Sequence, residues 1–185
     1  YIQDYEIHPS DGRMYMAIGT FILILDAQSS PSIIDLFEIE NADDEDYILD
    51  LEMDTQNNRM LVTTDQGFIH SIDLLDTSWN PDLPTEPSGG EWSNTHIASN
   101  GDLFAFSESG VFTLNTAGTG WTLEQASSTS NWPSGTPWKT FEHAGIIYVS
   151  LLDGGVGRWD VASMSPLSAW STANSLHSDF ISDFA

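Results

Sequence analysis

Short apolar runs separated by turn residues fill the chain, and they recur. Asp11-Gly12 leads into Arg13-Met14-Tyr15-Met16-Ala17 and then Phe21 to Asp26, while Asn57-Asn58 leads into Arg59-Met60-Leu61-Val62-Thr63 and then Gly67 to Asp73. Asn100-Gly101 precedes Asp102 to Phe106 and Gly110 to Asn115, and Ala144-Gly145 precedes Ile146 to Ser150 and Gly155 to Asp160. Asn-Gly and Asp-Gly between hydrophobic runs mark hairpins, because both residues tolerate positive φ. The residues that close each unit, Asp26, Asp73, Asn115 and Asp160, are spaced 42 to 47 residues apart.

A further strand precedes each hairpin. Ile2-Gln3-Asp4-Tyr5, Ile48-Leu49-Asp50-Leu51 and Ile181-Ser182-Asp183-Phe184 share an Ile-x-Asp pattern, with weaker counterparts at Asn94 to Ile97 and Lys139 to Phe141. Outer strands are expected at Ile33 to Phe37, Gly120 to Leu123 and Pro166 to Trp170. In the second unit the outer strand is obscured by Pro81, Pro84 and Pro87, which confine it to an edge or a loop. Met14 to Ile18 is apolar on both faces, as a sheet sandwiched between two others requires. No stretch sustains a period of 3.6, so helix content should be small.

Four short strands every forty-odd residues predict an all-β chain, a β-propeller fragment of about four four-stranded blades plus the first strand of a fifth. The approximate blades are 1–46, 47–92, 93–137 and 138–178, with 179–185 opening the next. Tandem β-sandwich repeats are the competing architecture, but their domains of about 100 residues exceed this period.

Charge changes the picture of partners more than that of the fold. The 185 residues hold 28 Asp and Glu against four cations, Arg13, Arg59, Lys139 and Arg158, for a net charge of −24. Such a chain repels phosphate backbones and anionic membrane surfaces, which argues against nucleic-acid binding and membrane attachment. With 40% apolar and 11% aromatic residues it can still bury a core. The acid excess reads as an adaptation to halophilic or marine surroundings, or simply as a soluble acidic surface. Cysteine is absent, so neither disulfides nor thiolate chemistry enter. No apolar run approaches the ~20 residues of a membrane span. The chain is expected to be an excerpt of a longer polypeptide.

The fourth unit, Gly154-Gly155-Val156-Gly157-Arg158-Trp159-Asp160 through Trp170 to Phe184, resembles the two-component regulator propeller repeat, a WD40/YVTN-like family. That repeat combines an apolar-x-Asp-apolar strand, an Asp-x-x-Gly turn, and a Gly-Gly-Val hairpin closed by an aromatic residue and Asp. Met14 to Thr20 and Leu61 to Gly67 fit its middle. In this chain its strand tryptophan is replaced by Tyr15, Leu61, Phe104 and Tyr148. The resemblance implies a seven- or eight-bladed ring, often extracellular and sometimes sensing polysaccharide-derived ligands, and it supplies no catalytic residues.

The candidate chemistry is sparse. Asp4, Asp50 and Asp183 recur with the repeat, so a structural role is expected, each accepting backbone N–H bonds; the functional alternative is an acidic ring around a central channel. Asp43-Asp44-Glu45-Asp46 is the candidate calcium site, since carboxylates clustered in a loop suit that ion, although EF-hand spacing is missing and a solvated loop is the competing reading. Trp79, Trp92, Trp132 and Trp138 fall in Pro/Ser/Gly-rich connections, where they would either stack on a sugar or peptide or cover blade seams. The five histidines lack metal spacing, and no nucleophile elbow, phosphate loop or sialidase box occurs.

The expected function is therefore a non-catalytic extracellular or cell-surface module, needing no cofactor unless calcium, that binds a protein or glycan while docking to the remaining blades of its own polypeptide. The alternatives are the sensor ectodomain of a membrane signalling receptor and, from another class, a propeller lyase or hydrolase whose acids and histidines would have to converge.

Overall fold

The computed structural model describes residues 1–26, 32–39, 47–129, 131–174, 176 and 178. The apolar runs become strands, and among the described residues there is no helix. They form two compact units, Tyr1–Leu83 and Pro84–Ala185, each with two sheets. In the first unit β1 (Asp4–Ile7), β2 (Arg13–Ile18), β3 (Phe21–Asp26) and β4 (Ser32–Glu38) form one antiparallel meander. The second meander is β5 (Ile48–Asp54), β6 (Arg59–Thr64), β7 (Ile69–Asp73) and β8 (Trp79–Asn80). β8 keeps only two residues, because Pro81 follows and cannot donate to the ladder.

The second unit repeats the plan. β9 (Trp92–Ile97), β10 (Leu103–Ser107), β11 (Gly110–Leu114) and β12 (Trp121–Ala126) make one sheet; β13 (Thr136–His143), β14 (Ile146–Leu152), β15 (Gly155–Asp160) and β16 (Ser165–Trp170) make the other. Two glycines open the third strand of their sheets where a side chain cannot fit. A Cβ on Gly110 (φ 144°) would lie 1.9 Å from the Gln125 carbonyl oxygen, and one on Gly155 (φ 83°) would lie 2.2 Å from that of Trp170.

Alternate residues on each second strand face opposite neighbours. In the first unit Tyr15, Ala17, Ile22 and Ile24 meet Ile48, Leu51, Met60 and Val62 in one buried cluster. In the second unit Phe104, Phe106 and Val111 meet Ile147, Val149 and Leu151. Each cluster is a seam between two sheets, burying the face that each turns to the other.

The ladders share a defect. In β5, β9 and β13 the pairing with the following strand skips one residue, leaving Leu49, Ser93 and Trp138 unpaired. Such a bulge re-aims the side chain that it carries. The register also aligns Asp4, Asp50, Asn94 and Lys139, which pair with Ala17, Thr63, Phe106 and Ser150 in turn.

Candidate functional site

The inner strands are joined by polar contacts from these aligned positions. Asp4 Oδ2 accepts the N–H of Leu51 at 2.9 Å. In the second unit Asn94 Nδ2 donates to the Trp138 carbonyl at 3.4 Å. Asp50 is buried, and Asp183 lies outside the described residues. At the strand ends that close each hairpin, Asp73 accepts Leu75 N–H at 2.7 Å, Asn115 accepts Thr119 N–H at 3.0 Å, and Asp160 accepts Ala162 N–H at 2.9 Å. Short polar side chains at these ends hold the next turn by satisfying its backbone. Asp26 ends β3, paired with Arg13 on β2.

The four candidate tryptophans separate. Trp92 and Trp132 are each only 1% exposed, so neither presents a ring face to a ligand. Trp92 belongs to β9 and packs on Phe112 and Trp121, with centroids 5.2 and 4.9 Å away. Trp132 folds under its connection, stacks on Phe106 at 6.3 Å and meets Trp159 edge-on. Gly157 makes the room: a Cβ there would lie 2.8 Å from Trp132 Cη2. A glycine inside a strand is the sequence signal for such a close approach. Trp79 lies on β8, half-buried and edge-on to Phe37 and His70. Trp138 alone of the four is well exposed, at 40%, on the β13 bulge. The acidic run Asp43, Asp44, Glu45 and Asp46 lies outside the described residues. Among the described residues no three His, Asp or Glu side chains converge to hold a metal.

A cluster that sequence reasoning missed joins the inner strands of the second unit. Glu142 on β13 accepts the N–H of Ser99 at 2.7 Å and the Ser99 hydroxyl, and it meets His96 Nε2 at 3.4 Å. Burial holds the His96 pKa below the ordinary histidine value even though Glu142 pulls it the other way. Burial would raise that of Glu142, but the bonds from Ser99 and His96 outweigh it and leave the carboxyl below its usual range.

The connection leading into β9 is held by several hydrogen bonds. The Pro84 carbonyl accepts two indole N–H bonds, from Trp121 at 2.8 Å and Trp92 at 3.2 Å. The Glu86 carboxylate, 4% exposed, accepts the N–H of Ser88 at 2.7 Å and of Gly90 at 2.8 Å, together with the Ser88 hydroxyl. A Cβ on Gly90 would press within 3.3 Å of Glu86 Oε2 and Ser109 Oγ. The loop is therefore held from beneath by groups inside the protein. Above it opens a cleft of about 370 Å³ lined by Gly89, Gly90, Glu91, Ser93, Glu108, Ser109 and Thr136. Its walls carry carboxylates and hydroxyls and no cation.

No protein-family model matches the sequence, and no curated protein matches it. Solved structures do. The chain is similar to a chain of a structure described as "Crystal Structure of Mitotic Checkpoint Complex", with a TM-score of 0.66 at 13% identity, over 92% of this chain and 52% of that one. It is also similar to "Crystal structure of RRP9 WD40 repeats", with a TM-score of 0.68 at 11% identity, over 94% of this chain and 52% of that one. The chain thus spans about half the length of each. At such identities the likeness shows the fold. The four sheets are blades, and the chain is a segment of a β-propeller.

Proposed function

We propose that this propeller segment is a non-catalytic binding module that receives a protein partner on the loop 84–91 and its cleft. The observation that carries this reading is the anchoring of that loop by two tryptophan N–H groups on one carbonyl and by a buried glutamate. A loop already ordered before contact loses little entropy on binding, which is how rigid scaffolds present recognition surfaces. One of the similar structures is that of a complex, which is in keeping with the same use of the fold. The module works outside the cell or on its surface and is kin to the two-component regulator repeat, a reading supported by the acid excess and the fourth unit's sequence. A glycan partner is the second reading. It draws on the exposed ring of Trp138, and one isolated aromatic offers a sugar less than the built cleft offers a peptide.

The test is selection from a displayed random-peptide library on the immobilised chain. Enriched peptides that lose binding to a Gly90→Val variant of unchanged melting temperature support the proposal. No enrichment, or enriched peptides indifferent to Gly90, would overturn it, as would turnover of a polysaccharide by the purified chain.

A further inference from the structure

We infer that the cleft over loop 84–91 takes an arginine side chain of the partner. The inference rests on the protein-binding reading above and names the chemistry of what is bound. Three observations meet there. First, the cleft is lined by two carboxylates, Glu91 and Glu108, and by the hydroxyl residues Ser93, Ser109 and Thr136. Second, Ser93 is the unpaired residue of the β9 bulge, the position at which a ladder turns a side chain out of register. It is 9% exposed, lines the cleft, and its hydroxyl has no hydrogen-bond partner among the described residues. A hydroxyl facing a cleft with no protein partner is free to accept or donate a hydrogen bond to what enters it. Third, the space of about 370 Å³ is that of a small-ligand site rather than of a single ion.

The choice of cation follows from the acceptors. Glu108 Oε1 already accepts the Thr136 hydroxyl, leaving Oε2 for a ligand. No three acidic or histidine side chains among the described residues converge as a metal requires. A guanidinium spreads five N–H donors over a plane and suits acceptors distributed around a cleft, whereas an ammonium is a point charge. The protein's own three arginines are engaged elsewhere: Arg59 with Asp54 at 2.9 Å, Arg13 with Asp11 at 3.4 Å, and Arg158 over the Trp170 ring at 4.7 Å.

The experiment titrates N-acetyl-arginine amide into the isotope-labelled chain and follows backbone amide shifts. Saturating shifts at Gly90, Ser93 and Ser109, absent with the uncharged isostere N-acetyl-citrulline amide, are expected. Glu108→Gln and Glu91→Gln should each weaken the arginine about tenfold, as the loss of one charge-assisted bond does. An equal response to citrulline, or shifts scattered over the acidic surface, would overturn the inference in the wild-type chain, whatever the variants do. So would calcium chloride that moves the same three amides and displaces the arginine. Selected peptides that bind through Gly90 without any need for arginine end this inference and leave the protein-binding reading standing. A library that yields no peptide ends that reading itself.

Discussion

The N–H of Leu51 donates to Asp4 Oδ2 at 2.9 Å, so an acid on the inner strand of the first blade holds the backbone of the second. Forty-seven residues separate the two partners along the chain, so the bond closes a whole repeat. Asp4→Ala should lower stability by about 1–3 kcal/mol, because it leaves a backbone donor without its acceptor. Asp4→Asn keeps an acceptor oxygen and should cost less. Equilibrium urea unfolding of the two variants checks the order.

Asp54 is 3% exposed, and its carboxylate accepts Asn57 Nδ2 at 2.7 Å and Arg59 Nε at 2.9 Å. Burial works against the charge, yet the bonds from Asn57 and Arg59 hold its pKa below the usual aspartate value. A depressed carboxyl adds stability that is present above its unfolded pKa and lost as pH falls through its folded one. The chain should therefore weaken on acidification below about pH 4. Arg59→Ala strands the buried acid and should cost about 3 kcal/mol near neutrality. Denaturation midpoints from pH 7 down to about pH 3 test both statements.

His96 makes the opposite demand at milder acidity. Its folded pKa lies below the ordinary histidine value through burial, so the neutral ring is the one that the fold prefers. Stability is then greatest above the unfolded pKa, about 6.5, and declines as pH falls from there toward the folded value. A His96→Gln variant should show a flatter profile over that range. Proton-detected titration of His96 should give a midpoint below 6.5, and a midpoint above it would refute the account.

Gly110 and Gly19 both have positive φ, but only one is crowded. A Cβ on Gly110 would collide with the Gln125 carbonyl oxygen, while one on Gly19 (φ 65°) would meet nothing within 4 Å. Gly19→Ala should cost about 1–2 kcal/mol from backbone strain alone. Gly110→Ala must displace β12 and should cost clearly more, seen as lost amide protection at Trp121 to Ala126.

A net charge of −24 makes the chain salt-sensitive. Raising sodium chloride from about 0.01 M to about 1 M shortens the screening length from about 30 Å to about 3 Å, and the melting temperature should rise with it. Calcium that raises it further at equal ionic strength would support the calcium site expected from the sequence at Asp43 to Asp46. A melting temperature that stays flat throughout would sink the self-repulsion argument.

Much of the fold was legible because each blade writes itself twice, as a strand apolar on both faces and as a turn that only a few residues tolerate. Met14 to Ile18 reads as a strand on its apolar residues, although only Tyr15 and Ala17 are fully buried while Met14, Met16 and Ile18 stay partly exposed, and Pro81 left β8 nowhere to continue. The site was less legible, for a different reason. Trp92 and Trp132 sit in polar, proline-rich surroundings, and local composition does not say whether a ring turns outward or folds beneath. Gly157 was the available clue, because a strand that gives up a side chain makes room for something large. The Glu142–Ser99 contact spans 43 residues and two blades, and no short motif announces it. The Pro84 carbonyl is a backbone atom, invisible to any reading of side chains.

The bulge of the inner strand has a consequence beyond its geometry. Leu49, Ser93 and Trp138 occupy one and the same seat in three successive blades, and at that seat the ladder asks nothing of the side chain. Chemistry can be exchanged there without renegotiating strand pairing, as an aliphatic, a hydroxyl and an indole already demonstrate. The repeat thereby works as a rack of interchangeable fittings, one to a blade, and a new specificity can be written into it one residue at a time.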